Sequence, residues 1–195
     1  MGSAPFSSPL AAELSGAVLE RFLRYVRIDT QAEEDASTYP STAKQLDLSR
    51  VLVDELRELG LADVELTEHG YVFATLPGAA GAPVIGLIAH VDTTPETPGG
   101  GVVPIVHEDY AGGPIVLPGD PSQVIDPAEE TALAERVGHD IVTSDGTTLL
   151  GADDKAGVAE IMAAVAHLVG TPKPRATVRV AFTVEPTRVE QSTNY

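Results

Sequence analysis

Apolar positions along this chain recur with two periods. Leu14, Val18, Phe22 and Val26 return every fourth residue after Ser8-Pro9, which predicts a capped amphipathic helix with proline in its first turn. A second helical set, Leu48, Val51, Leu52, Leu56 and Leu59, is expected to start at a Ser41-Thr42 cap and stops at Gly60. Val158, Ile161, Met162, Val165 and Leu168 make a third, closing at Gly170 with Pro172 beyond. Residues 127–136 suggest a short helix. Period two is cleanest over 177–183, where Val178, Val180 and Phe182 share one face and Arg179 and Ala181 the other. Val64–Leu66 and Tyr71–Leu76 are further strand candidates. Val84–Ala89 is almost wholly apolar, as expected of a central strand covered on both faces. Ile141–Thr143 and Thr147–Leu150 flank Asp145-Gly146 and read as a hairpin. The Pro- and Gly-rich stretch 93–113 reads as a long loop. Helices interleaved with apolar strands predict an α/β layered domain with a largely parallel sheet.

Composition narrows the partners. With 195 residues and 43% hydrophobic positions the chain can bury a core. A net charge of −17 argues against nucleic acid and anionic membranes, both of which demand clustered Lys and Arg. No apolar run approaches the roughly 18 residues needed to cross a bilayer. The opening Met1-Gly2-Ser3-Ala4-Pro5-Phe6 lacks the basic start and apolar stretch of a signal peptide. The absence of cysteine excludes thiolate ligands and fits a reducing, cytoplasmic setting.

Candidate chemistry gathers at two strand ends. His90 and Asp92 close the 84–89 strand, and a spacing of two puts both on one face if the chain stays extended. Asp153 and Asp154 sit on a glycine-flanked turn before the third helix. Ligands of open α/β sheets collect at the carboxyl ends of strands. One imidazole with carboxylate oxygens suits Zn²⁺, Mn²⁺ or Co²⁺. Taken alone, His90 is equally a strand-end cap, Asp153 a helix N-cap, and Lys155 a local counter-charge.

The strings GLIAHVDTTPE and TSDGTTLLGADDKAGVAEIM, together with Arg21–Gln31, Ser37–Thr42 and Gly70–Pro77, resemble the M20 metallopeptidases, and among them the tripeptide aminopeptidases. The resemblance covers residues 18–183. It implies an incomplete, three-layer zinc-peptidase-like α/β domain that removes N-terminal residues from small peptides, using two zinc ions per site. Carried over by position, His90 is a terminal zinc ligand and Asp92 its catalytic partner, holding the imidazole from behind. Asp153 bridges the two metals, and Asp154 follows a cis peptide without being a ligand. The complete family enzyme implies a possible homodimer.

After Thr183 the pattern departs from the family's Pro-Asp-Glu-Glu. Pro186 and Thr187 stand where the proton-shuttling and metal-binding glutamates belong, and Glu185 is the only carboxylate nearby. The organisation expected is therefore 1–183 as the N-terminal part of a catalytic domain and 184–195 as a non-matching polar tail, of the kind a disrupted reading frame produces. With His90 and Asp153 as its only ligands this chain is expected to be an inactive fragment with an uncovered sheet face or edge. The alternatives are another M20 hydrolase (dipeptidase, carboxypeptidase or deacylase) and a non-catalytic remnant that binds a metal or a partner.

Overall fold

Ser8 and Pro9 open the first helix as their pattern predicts. The computed structural model describes residues 6–171 and 176–185; Pro172, Pro186, Thr187 and most of the polar tail lie outside them. In chain order the elements are α1 (Pro9–Tyr25), α2 (Gln45–Glu58), β1 (Ala62–Leu66), β2 (Val72–Leu76), β3 (Val84–His90), β4 (Ile105–His107), β5 (Ile115–Val116), β6 (Val124–Ile125), α3 (Thr131–Ala134), β7 (Ile141–Thr143), α4 (Ala152–Gly170) and β8 (Thr177–Thr183). Ser8 accepts the Ala11 amide at 3.1 Å, satisfying one of the orphan donors of α1. Ser41 and Thr42 do not cap α2, whose N-cap is Lys44. Their hydroxyls are engaged elsewhere: Ser41 accepts the Glu33 amide and Thr42 donates to the Gln31 carbonyl.

The main sheet has the order β1-β2-β8-β3. It is mixed rather than largely parallel: β1–β2 and β2–β8 run antiparallel, and only β3–β8 is parallel. The reason is local. Thr67–Tyr71 closes a tight turn between β1 and β2, whereas β8 reaches β3 in the parallel sense after the long helix α4.

Register fixes which side is covered. Val72, Ala74 and Leu76 pair with Phe182, Val180 and Val178, and Val178, Val180 and Phe182 pair in turn with Ile85, Leu87 and Ala89. This face meets Leu48, Leu52 and Leu56 of α2 and Val158, Met162 and Val165 of α4 in one core. Each such side chain stabilises the fold by about 1.5–3 kcal/mol. α1 packs on α4, and its Tyr25 hydroxyl donates to Glu55 of α2 at 2.8 Å.

The opposite face is open among the described residues, which form two layers, in keeping with an incomplete domain. Ile88 is 71% exposed, Val84 62% and Phe73 41%. β3 is thus an edge strand with one bare face, not a central one. An apolar run reports what a strand could bury, not what covers it. The expected hairpin is also revised. Ile141–Thr143 pairs with β4 inside the supposed loop, and Asp145 turns the chain by accepting the Thr147 amide at 2.9 Å. A small satellite core of Tyr110, Ile115, Leu117 and Leu133 lies under the 110–133 segment. No helix among the described residues is long and apolar enough to cross a membrane.

Candidate metal centre

The one parallel strand pairing of the main sheet locates the site. Because β3 and β8 run the same way, their carboxyl ends lie side by side at His90 and Thr183, and the Val91 amide donates to the Thr183 carbonyl at 2.9 Å. α4 begins beside this corner. Gly151, at φ 78, is its N-cap, a left-handed position that suits glycine. Asp153 is therefore not the cap, and Asp153 and Asp154 are the two non-helical residues within that first turn, joined by a cis peptide as the resemblance implies.

His90 Nε2 stands 3.1 Å from Asp153 Oδ1. On the far side of the ring, His90 Nδ1 lies 3.2 Å from Asp92 Oδ1 and 3.2 Å from the Asp92 carbonyl oxygen. The imidazole is thus gripped from behind by Asp92 and faces Asp153 with its other nitrogen, the arrangement expected of a ligand and its carboxylate partner. The hydrogen bond to Asp92 pushes the His90 pKa up to about 9, against the opposing effect of burial and with the charges of Asp92, Asp154 and Asp153 adding to it. Asp154 holds the main chain in place: its Oδ2 accepts the His90 amide at 3.3 Å.

Lys155 is buried, 1% exposed, and is more than a surface counter-charge. Its Nζ donates to the Ile28 carbonyl at 2.8 Å, and burial pushes its pKa down to about 8 despite the nearby Asp29 charge. The segment it grips is stitched to the residues following His90. The Thr93 amide donates to Thr30, the Ala32 amide to Thr93, and Gln31 Nε2 to the Thr97 carbonyl at 2.7 Å.

No family model matches the chain. Peptidase T of Geobacillus thermodenitrificans is 48% identical over 169 residues, 85% of this chain and 41% of that protein. Peptidase T of Desulfitobacterium hafniense is 50% identical over 170 residues, 86% of this chain and again 41% of the relative. The chain is a homologue of peptidase T. It spans about two fifths of the length of the curated peptidase T proteins it matches. A tripeptidase from Staphylococcus aureus superposes with a TM-score of 0.58 at 25% identity, over 89% of this chain and 37% of that one. Aminopeptidase PepT from Bacillus cereus superposes at 0.60 with 24% identity, over 92% and 39%. The second likeness is one of fold.

The donors present among the described residues are an imidazole and carboxylates, a chemistry that would suit a zinc ion. His90 Nε2 and Asp153 Oδ1 face each other, and Asp92 holds the ring from the other side. A catalytic zinc takes three ligands from protein, and no group of three metal-binding side chains occurs among the described residues. Glu185 does not complete the set. Glu185 is 2% exposed, and its carboxylate accepts from the Ser41 amide, the Ser41 hydroxyl and Gln45 Nε2. Three of the other four histidines are engaged elsewhere: His107 with Thr143, His167 beside Glu13, His69 edge-on to Tyr39. Sequence reasoning missed Gly157, over which the Asp154 carboxylate lies so closely that a Cβ would collide with it. A glycine three residues beyond a turn carboxylate was the available signal.

Proposed function

We propose that this chain supplies the His90–Asp153 part of the metal centre of a peptidase T-type aminopeptidase acting on small peptides, and that by itself it is inactive. The observation that carries the reading is the imidazole of His90 held between Asp92 and Asp153, in a chain nearly half identical to proteins named peptidase T. His90 and Asp153 would hold the ion, and residues 1–183 would form the corresponding part of the catalytic domain.

Zinc bound in a complete site of this kind lowers the pKa of a coordinated water and polarises a carbonyl. What this chain's residues do is narrower. Asp92 fixes the ring so that Nε2 faces outward, Asp154 fixes the main chain beneath it, and Asp153 offers a carboxylate whose side chain is 94% exposed. Neither residue of the sequence at the expected shuttle and ligand positions, Pro186 and Thr187, carries a carboxylate.

The test is a zinc titration of the chain followed by NMR of its histidine rings. His90 is expected to shift first, with weak affinity, and the shift to disappear in Asp153→Ala. Zinc that perturbs other histidines while leaving His90 unmoved would refute the assignment.

A further inference from the structure

Glu185 is the most buried carboxylate the site leaves unused, and its surroundings are built. Three donors from the segment before and at the start of α2 converge on its Oε1: the Ser41 amide at 2.9 Å, the Ser41 hydroxyl and the Gln45 amide nitrogen. The same stretch clamps the preceding residue, since the Tyr39 hydroxyl lies 2.6 Å from the Val184 carbonyl. Glu185 adopts φ 45, a left-handed conformation that a glutamate avoids unless its contacts impose it. That conformation aims its backbone amide at Asp92 Oδ1, 2.9 Å away. Asp92 Oδ1 is also the oxygen 3.2 Å from His90 Nδ1.

The hydrogen bonds therefore run as one relay from α2, through the side chain and then the amide of Glu185, into Asp92 and His90. We propose that Glu185 is a positioning residue: its carboxylate, locked by Ser41 and Gln45, holds the amide that orients Asp92 and so fixes the rotation of the His90 ring. A carboxylate in this place needs no ligand role to matter for the metal centre. Residues 39–45, of which the sequence pattern assigns Ser41-Thr42 to a helix cap, acquire the different task of anchoring the end of β8. The consequence for metal binding rests on the reading of His90 as a ligand, but the orientation of the ring is measurable without metal, so the two can fail separately.

The experiment is NMR on the metal-free full chain, measuring solvent exchange of the residue-185 amide and of the His90 Nδ1 proton, in Glu185→Ala, Glu185→Gln and Gln45→Ala. Val53→Ala, a core truncation remote from the relay, is the stability-matched control. In Glu185→Ala both protons are expected to exchange roughly tenfold faster or more, the effect of losing about one hydrogen bond. Glu185→Gln and Gln45→Ala should lie between it and the parent chain, and Val53→Ala should leave the His90 proton as slow as before. If Glu185→Ala does not fold, Gln45→Ala alone decides by the same readout. A His90 proton that stays equally protected in the Glu185 and Gln45 variants, or that loosens as much in Val53→Ala, would overturn the proposal.

Discussion

His90 Nε2 and Asp153 Oδ1 approach to 3.1 Å although 63 positions separate them in the sequence. The fold brings them together by ending β3 and starting α4 at the same corner, and Asp154 closes the gap by accepting the His90 amide. Asp153 itself projects into solvent, so its place owes little to packing and its removal should cost the fold little. Asp153→Ala is expected to change stability by no more than about 0.5 kcal/mol, as surface substitutions do. The same variant should weaken zinc binding by about tenfold or more. Chemical denaturation and a zinc titration on one preparation check both halves.

Gly157 gives a prediction opposite to helix propensity. Alanine normally stabilises a helix interior by about 1 kcal/mol relative to glycine. Here the new Cβ would strike the Asp154 carboxylate, so Gly157→Ala should destabilise the chain by about 1–3 kcal/mol and loosen the His90 amide. In the double variant Asp154→Ala/Gly157→Ala the loss should be smaller than the sum of the two single ones. Denaturant unfolding of the four proteins measures the coupling, and simple additivity would show that the two residues do not meet.

The bare sheet face should announce itself in solution. Ile88 is mostly solvent-exposed, so Ile88→Ser removes little buried area and should cost under about 1 kcal/mol. The same change breaks the apolar patch with Val84 and Phe73 and should reduce self-association, since exposed patches and open edges drive it. Light scattering against concentration distinguishes this from a face already covered, for which the serine would be strongly destabilising.

Stability should fall at high pH through Tyr25. Burial, and then the Glu55 carboxylate that accepts its hydroxyl, raise its pKa well above the ordinary 10.0. Above pH 10 the unfolded phenol loses its proton while the folded one keeps it, so the folded state binds more protons and stability declines with pH. Below pH 10 the contribution is constant. Tyr25→Phe should flatten the slope in part, Tyr39 being raised in the same direction. The comparison is best made above pH 10.5, beyond the window from about 8 in which buried Lys155 makes stability rise instead. An identical slope in Tyr25→Phe would contradict the assignment.

Most of the architecture was legible because helices advertise their buried stripe. The sets Leu48, Leu52, Leu56 and Val158, Met162, Val165 face one core as their spacing requires. Strand neighbours were not legible. Val84–Ala89 looked central because hydrophobicity records a strand's capacity for burial, and β3 proved to be an edge with one face open. Residue type and spacing pick out His90, Asp92 and Asp153 as candidates, and the fold brings the three side chains together. The roles of Ser41, Gln45, Lys155 and Glu185 were not legible, because each depends on contacts between segments far apart in sequence, such as the 144 positions between Ser41 and Glu185.

A chain that carries only the proposed His90–Asp153 part of a metal centre should neither hold zinc tightly nor cleave peptides alone. This is tested most directly by zinc content and tripeptide hydrolysis, measured together on the purified chain with and without added zinc. The expected result is zinc well below one tightly bound ion per chain and no release of N-terminal residues. Stoichiometric, tightly held zinc with zinc-dependent hydrolysis, abolished by His90→Ala, would contradict it.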